Sequence, residues 1–154
     1  MDKKFYLTKN GVLALKQEEE KLKTLKELKL KEGAPAPLYS EELNTEFVAF
    51  REDLDYLQGR LEEIEHILNN YQLIKPPSKA KRQEAGLGAE LLVAVNDEKQ
   101  TFKIVGTLEA EPSLGRISNE SPVGQAFLGK KAGDEVVLTA PAKIKYKILK
   151  IKYV

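Results

Sequence analysis

The sequence predicts an α+β protein in two parts, a pair of long antiparallel helices followed by a compact domain built on an antiparallel sheet. Between Glu46 and Tyr71, apolar residues recur in alternating steps of three and four, the heptad pattern of a helix that packs against another helix. Beyond residue 76 the pattern changes to short β-rich runs separated by Gly, Pro, Asn and Asp. The chain has 154 residues, which suffices for one domain or two small ones.

The first helix is expected to begin near Lys9, because Thr8 is a favourable N-cap residue. Gly33 and the two prolines that follow it end the helix. A glutamate, Glu18 or Glu19, must fill the layer between the first two leucines of the apolar stripe, which consists of Leu15, Leu22, Leu25 and Leu28.

The second helix carries the heptad seam and is expected to run from its cap, Ser40, to about Tyr71. The seam residues are Phe47, Phe50, Leu54, Leu57, Leu61, Ile64, Leu68 and Tyr71. The only helical partner available is the first helix, so residues 1–75 are predicted to form an antiparallel coiled-coil arm with its tip near residues 33–42.

The second part, residues 76–154, is predicted to begin with a linker at Lys75–Arg82 that is rich in proline and lysine. A short helix is expected at Val123–Leu128, opened by Ser121 and Pro122 and closed by Gly129. The predicted strands are Leu91–Val95, Thr101–Val105, Glu135–Thr139 and Ile144–Val154.

Composition excludes several classes of site. The chain has no cysteine and one histidine, which excludes disulfides and thiolate metal sites and argues against a nucleophilic triad. A net charge of +1 lacks the basic excess of a stand-alone DNA-binding domain, so any contact with nucleic acid is expected to be local. No apolar run approaches ~20 residues and the start lacks a signal-peptide core, so we expect a cytoplasmic protein with no membrane span.

Several segments together resemble the Gre family of bacterial transcript cleavage factors. The clearest is residues 117–134, in which a Ser-Pro pair is followed by Gly-x-Ala and then Gly-Lys-Lys-x-Gly-Asp. Others follow the family in the same order along nearly the whole chain: Tyr6-Leu7-Thr8 with Gly11, Asn44 with Glu46-Phe47, Gly59-Arg60-Leu61 with Ile64, Ile104-Val105-Gly106, and the ending Ile148–Val154.

The resemblance implies a coiled-coil arm and a C-terminal domain related to FKBP-type prolyl isomerases. It also implies a monomer that docks this domain at the secondary channel of bacterial RNA polymerase and inserts the arm toward the active site. Asn119, Ser121 and Pro122 would contact the polymerase, although a turn followed by a helix start explains them equally well. The protein would then be no enzyme itself.

In the family, acidic residues at the tip help to hold the second Mg²⁺ of the polymerase near the 3′ end of the nascent RNA, and a water is activated there. No cofactor of the protein's own is implied. This sequence departs from that pattern, because Ser40 and Leu43 occupy the positions of the family's acidic pair. Glu41 and Glu42 remain as candidate metal-binding acids; the equal alternative is that they only favour the helix dipole in the first turn.

The lysines of the first helix admit two interpretations. Interleaved glutamates favour a solvated face over a stripe that follows RNA phosphates; the lysines are Lys16, Lys23, Lys26, Lys29 and Lys31. Three functions remain open at this point: a cleavage factor, a channel-binding regulator without cleavage activity, which the altered tip favours, and a generic coiled-coil adaptor, which leaves the signature in the second domain unexplained.

Overall fold

The fold class expected from the sequence is confirmed by a computed structural model, which describes residues 4–35, 45–139 and 143–153. The chain divides into two compact units: Val12–Asn70, here called the arm unit, and Met1–Gly11 together with Tyr71–Val154, here called the sheet unit. The predicted division was at residues 75 and 76. In the structure, residues 1–11 group with the C-terminal part rather than with the arm.

The arm unit contains most of helix α1 (Lys9–Glu32) and all of helix α2 (Thr45–Asn69). Three contacts show that the helices run antiparallel, since the residue number falls along α2 as it rises along α1: Glu18 with Arg60, Lys26 with Gln58, and Lys29 with Asp53. The expected helix start at Lys9 is confirmed, and the amide of Gly11 donates to the capping hydroxyl of Thr8 over 3.1 Å.

The core of the arm is narrower than the heptad pattern predicts. Leu22, Leu57 and Ile64 form a buried cluster, against which Leu15, Leu61 and Leu68 pack. In the predicted stripe, Leu25 and Leu28 stay 44% and 51% exposed, because at that level Lys26 and Lys29 reach across to α2.

Two further details of the seam differ from expectation. Tyr71 is not its last member, because α2 ends at Asn69 and Tyr71 begins a strand. Ile67 is buried although it lies off the heptad, since positions 64, 67 and 68 form the wider apolar stripe of an ordinary amphipathic helix.

The sheet unit is built on a five-stranded sheet in the order β5-β4-β3-β7-β6. Its strands are β3 (Ala89–Val95), β4 (Glu98–Val105), β5 (Arg116–Ser118), β6 (Glu135–Leu138) and β7 (Ile144–Tyr153). The expectation of an antiparallel sheet needs one correction, because the edge strand β5 pairs with β4 in parallel. Asn96 and Asp97, both at positive φ, form the tight turn between β3 and β4.

A second, two-stranded sheet joins the start of the chain to the residues that follow α2. Strand β1 (Phe5–Leu7) pairs in parallel with β2 (Tyr71–Leu73). Both strands have three residues, too few for a periodic signal, and the sequence therefore did not predict them.

One face of the five-stranded sheet carries the main core. Its buried residues are Ala85, Ala89, Leu91, Val93, Ile104, Ile117, Phe127, Val136 and Ile148. Phe127 comes from helix α3 (Pro122–Phe127), and its ring lies 6.2 Å from that of Phe102 and 5.5 Å from that of Tyr146. Among the described residues, no helix combines the length and apolar character needed to cross a bilayer.

Candidate functional site

Of the two predicted functional regions, the structure describes the polymerase-binding turn but not the tip of the arm. The tip acids Glu41 and Glu42, with Ser40 and Leu43 beside them, lie outside the described residues. Within the described ranges, no group of three or more His, Cys, Asp or Glu side chains could hold a metal ion. The turn that contains Asn119, Ser121 and Pro122 is described completely.

That turn begins where β5 ends, at the buried residue Ser118. The hydroxyl of Ser118 accepts a hydrogen bond from the amide of Glu120 over 3.1 Å and lies 3.0 Å from the hydroxyl of Thr107. The Thr107 hydroxyl also lies within 3.0 Å of a carboxylate oxygen of Glu120. The amide of Asn119 donates to the carbonyl of Val105 on β4. Hydrogen bonds to Val105 on β4 and to Thr107 therefore hold the turn in place.

Ser121 has a structural role in this turn. Its hydroxyl donates to the carbonyl of Ser118 over 2.7 Å and accepts from the amide of Gly124 over 3.0 Å, which makes it the N-cap of α3. Pro122 follows at the first helical position, where its missing N–H costs nothing. The predicted turn and helix start are confirmed; whether Ser121 also contacts a partner stays a prediction.

Gly124 explains why the Gly-x-Ala element follows the Ser-Pro pair. A Cβ atom at this position would lie 1.9 Å from the carbonyl oxygen of Ser118, so only glycine lets α3 approach the end of β5 this closely. The start of α3 consequently packs tightly against the end of β5. Pro122, Gln125 and Glu120 are exposed there, whereas Asn119 is half-buried.

Asn119 and Glu120 also line a small concavity beside β1. Lys4, Phe5 and Tyr6 form one wall, and Thr107 and Leu108 form another. Leu108 is 45% exposed and adds an apolar side chain to this concavity. The approach of β1 depends on Gly106, because a Cβ atom there would lie 2.1 Å from the carbonyl oxygen of Tyr6.

Glu109 is a structural anchor that the sequence did not predict. Its carboxylate accepts hydrogen bonds from the amide of Thr8 over 2.7 Å and from the hydroxyl of Thr8 over 2.6 Å. A Cβ atom at Gly11 would lie 2.5 Å from this carboxylate, so glycine leaves room for it. Thr8 and Gly11, which match the start of the family, were the sequence signal that could have indicated this contact.

Charged residues of α1 are used mainly within the arm. Glu18 fills the layer between Leu15 and Leu22, as one of the two expected glutamates, and accepts two hydrogen bonds from Arg60 at 2.7 and 3.0 Å. The hydrogen bond from Arg60 lowers the pKa of Glu18, while burial opposes this shift. The pKa of Arg60 is raised, first by the hydrogen bond to Glu18.

Three of the five lysines proposed as a phosphate stripe have partners in the arm. Lys23 pairs with Glu19 over 3.2 Å, and Lys26 hydrogen-bonds to Gln58. Lys29 lies 2.6 Å from Asp53 and 5.5 Å from the ring centre of Phe50. Contact of this helix face with RNA, including the exposed Lys16 and Lys31, stays a prediction.

Comparison with protein-family models matches residues 80–153 to the family described as "Transcription elongation factor, GreA/GreB, C-term". The matched range contains the Asn119–Pro122 turn, Gly106 and Gly124. It includes every strand of the five-stranded sheet and helix α3.

Curated relatives extend the similarity to the arm. A protein named transcription elongation factor GreA from Clostridium acetobutylicum is 39% identical over 156 residues, covering 98% of both chains. Its namesake from Acetivibrio thermocellus is 36% identical over 155 residues, again covering 98% of both. The match from Thermomicrobium roseum is 41% identical but covers 64% of this chain.

Solved structures of similar architecture include a GreA/GreB elongation factor from Nitrosomonas europaea, at 18% identity and a TM-score of 0.45 over 99% of this chain. The GreA factor homolog Gfh1 of Thermus thermophilus matches at 23% identity and a TM-score of 0.42 over 97% of this chain. Because these TM-scores are below 0.5, the relationship is established by the sequence relatives.

Proposed function

Because the chain belongs to the GreA/GreB family of transcription elongation factors, we propose that it binds bacterial RNA polymerase at the secondary channel and stimulates cleavage of backtracked transcripts. The polymerase performs the hydrolysis, and this protein contributes side chains to a catalytic centre that is not its own. The observation that carries the proposal is the family signature at residues 117–134, whose first part forms a partly exposed turn and the start of α3.

The docking part of the proposal assigns Asn119 and Pro122 to direct contact and Ser121 to holding them in place. The hydroxyl of Ser121 is engaged with Ser118 and Gly124, so its main contribution is to fix the backbone of the turn. Pro122 is exposed and lacks an amide donor, which suits packing against an apolar partner surface. The exposed Leu108 beside Asn119 extends the apolar area.

The cleavage part assigns Glu41 and Glu42 to the Mg²⁺ of the polymerase, near the 3′ end of the nascent RNA. Oxygen ligands suit this cation, and a water held by it becomes a better nucleophile. Support comes from the sequence alone, since these are the only carboxylates between Glu32 and Glu46.

A regulator that occupies the same channel without promoting cleavage is the alternative, motivated by Ser40 and Leu43 at the acidic positions of the family. The curated relatives that cover the whole chain carry the name of the elongation factor GreA, which favours the cleavage factor.

Docking is tested by measuring the affinity of the full-length protein for RNA polymerase with Asn119 and Pro122 both changed to alanine. We expect a loss of at least about tenfold, which corresponds to ~1.4 kcal/mol, because a few central residues carry most of the energy of an interface. The matched control is Pro112→Ala with Ser113→Ala, an exposed Pro and polar residue at the start of another short turn. Equal affinities for the two double variants would place the docking surface elsewhere.

Cleavage is tested with stalled, backtracked elongation complexes at saturating protein and Mg²⁺. We expect Glu41→Ala with Glu42→Ala to reduce stimulation by ~10²-fold or more, as when transition-state stabilisation is removed, without weakening polymerase binding. The control is Glu52→Ala with Glu65→Ala, two exposed glutamates of α2. If the wild type binds but gives no stimulation, and Ser40→Asp with Leu43→Glu creates it, the regulator is the correct function.

A further inference from the structure

The face of the five-stranded sheet opposite the main core carries a concentration of lysines that the proposed function does not use. Strand register defines this face, since residues directly opposite one another on neighbouring strands point the same way. Lys152 on β7 lies opposite Glu90 on β3, which lies opposite Lys103 on β4. Lys147 lies opposite Ala94, which lies opposite Lys99. We call this surface the lysine face; its lysines are Lys99, Lys103, Lys145, Lys147, Lys150 and Lys152.

Most of this positive charge is available to a partner. All of these lysines are exposed except Lys103, which is half-buried. Lys145 forms an exposed ion pair with Glu135 over 3.0 Å; within the described ranges, the other five lysines have no ion pair. The register places the acidic residues Glu90 and Glu135 on this face. At its β5 edge, the ion pair of Arg116 with Glu111 adds one charge of each sign, so basic residues still outnumber acidic ones.

Protection of a sheet edge accounts for only some of the lysines. Proteins place lysine on edge strands to prevent pairing with other chains. Lys147 lies on the part of β7 that pairs with β3 on one side and β6 on the other, and Lys145 lies on a part that pairs with β6. Lys103 lies between β3 and β5. Lys150 and Lys152 lie on the part of β7 beyond its pairing with β6. The charge therefore covers the broad surface of the sheet.

We propose that the lysine face binds the sugar-phosphate backbone of a nucleic acid duplex without reading its sequence. Lysine alternation along β7 places like charges about 7 Å apart, and neighbouring strands lie about 4.8 Å apart, which creates a dense positive surface. Duplex DNA carries one negative charge per ~1.7 Å of its axis, so such a surface can neutralise several phosphates at once. The uncharged members Leu92, Ala94, Thr101 and Val137 include no aromatic ring for stacking on bases.

The composition distinguishes this partner from an acidic protein. Protein interfaces are depleted in lysine and enriched in tyrosine, tryptophan and arginine, whereas phosphate contacts commonly use lysine. Within the described strands, the lysine face is rich in lysine and has no aromatic residue, as expected for a surface that contacts phosphates. This binding would act in addition to polymerase docking and does not depend on it, because the Asn119–Pro122 turn lies outside the lysine face.

The test is the affinity of the full-length protein alone for a fluorescently labelled, mixed-sequence DNA duplex, measured by anisotropy between about 50 and 200 mM salt. Lys147→Gln, Lys150→Gln and Lys152→Gln together should weaken binding at least about tenfold at the lowest salt. The slope of log K against log salt should fall in magnitude by up to about 2.7, at ~0.9 for each phosphate that is no longer neutralised. The same titration with an RNA duplex of the same sequence compares DNA with RNA as the source of the phosphate groups.

The matched control removes the same charge elsewhere in the sheet unit, by Lys79→Gln, Lys81→Gln and Lys130→Gln, all at exposed positions. It should change the affinity less than about threefold. The triple change of the face lysines to arginine keeps the charge and should bind as the wild type does, which separates charge from folding. Absent binding by the wild type, equal losses in the face and control variants, or equally strong competition by polyglutamate would each overturn the proposal.

Discussion

The arm unit and the sheet unit bury their apolar side chains in different ways. In the sheet unit, nine buried residues form one cluster, in which the ring of Phe127 packs against those of Phe102 and Tyr146. In the arm unit, the cluster consists of Leu22, Leu57 and Ile64, and a partly exposed ion pair between Glu18 and Arg60 fills the next layer. A two-helix seam has only one inner side, so each of its few buried residues carries a larger share of the unit's stability.

This difference suits the two proposed tasks. The sheet unit presents a turn whose backbone is fixed by Ser118, Ser121 and Gly124, as a docking surface requires. The arm unit needs length more than a thick core, and it gains length from two helices of 24 and 25 residues. A thin structure with charged sides remains soluble along its full length.

The largest effect is expected from truncating the central ring of the sheet unit. Phe127 is 0% exposed, so Phe127→Ala should cost about 3–5 kcal/mol of the unit's stability. Urea titration followed by the amide NMR signals of β3 and β7 reads this unit separately from the arm. The adjacent Leu128→Ala, at an exposed position, is the control, and a comparable loss there would contradict the assigned core.

Ile64→Ala should have the corresponding effect in the arm, at about 2–4 kcal/mol, because this side chain is also 0% exposed. The arm signals should shift to lower urea concentration while those of β3 and β7 stay within ~0.5 kcal/mol of the wild type. Leu13→Ala, at a helix position that is 55% exposed, is the control. Equal shifts in both units would show that they unfold together, so that the comparison between them fails.

Replacing two glycines by alanine should change the stability of the two units in opposite directions. Gly124→Ala should destabilise the sheet unit by about 1–3 kcal/mol or more, since the new Cβ would lie 1.9 Å from a backbone carbonyl oxygen. Gly59→Ala should stabilise the arm by up to about 1 kcal/mol, because nothing lies within 4 Å and alanine is the better helix former. Thermal unfolding of both variants checks the pair, and destabilisation by Gly59→Ala would show an unrecognised close approach.

The smallest effect concerns the ion pair of the arm. A double-mutant cycle of Glu18→Gln and Arg60→Gln should give a coupling of about 0.5 kcal/mol, since both side chains are about a third exposed. Arg60 lowers the pKa of Glu18 in the folded state. The contribution should therefore be complete above the unfolded pKa of about 4.3 and disappear as the pH falls through the folded-state value. A coupling that is constant down to acid pH would contradict this assignment.

Sequence alone determined the parts of the molecule that have local signals. The heptad seam located α2, Thr8 located the start of α1, and Ser121 with Pro122 located the start of α3. Four strands of alternating or β-rich character were found within a few residues of their observed bounds: β3, β4, β6 and β7. Each of these elements spans enough residues for its periodicity or cap to be visible in the chain itself.

Only the tertiary structure decided the features that depend on distant partners. Strands β1, β2 and β5 have three residues each and are ordered by pairing with other strands. Phe5 pairs with Tyr71 across the entire sequence of the arm unit. Glu109 holds Thr8 across 101 positions of sequence, and Lys29 turns toward Asp53 instead of solvent. The lysine face likewise exists only because register aligns three strands. Such arrangements have no local signature, since backbone pairing and charge contacts are selected by the folded chain as a whole.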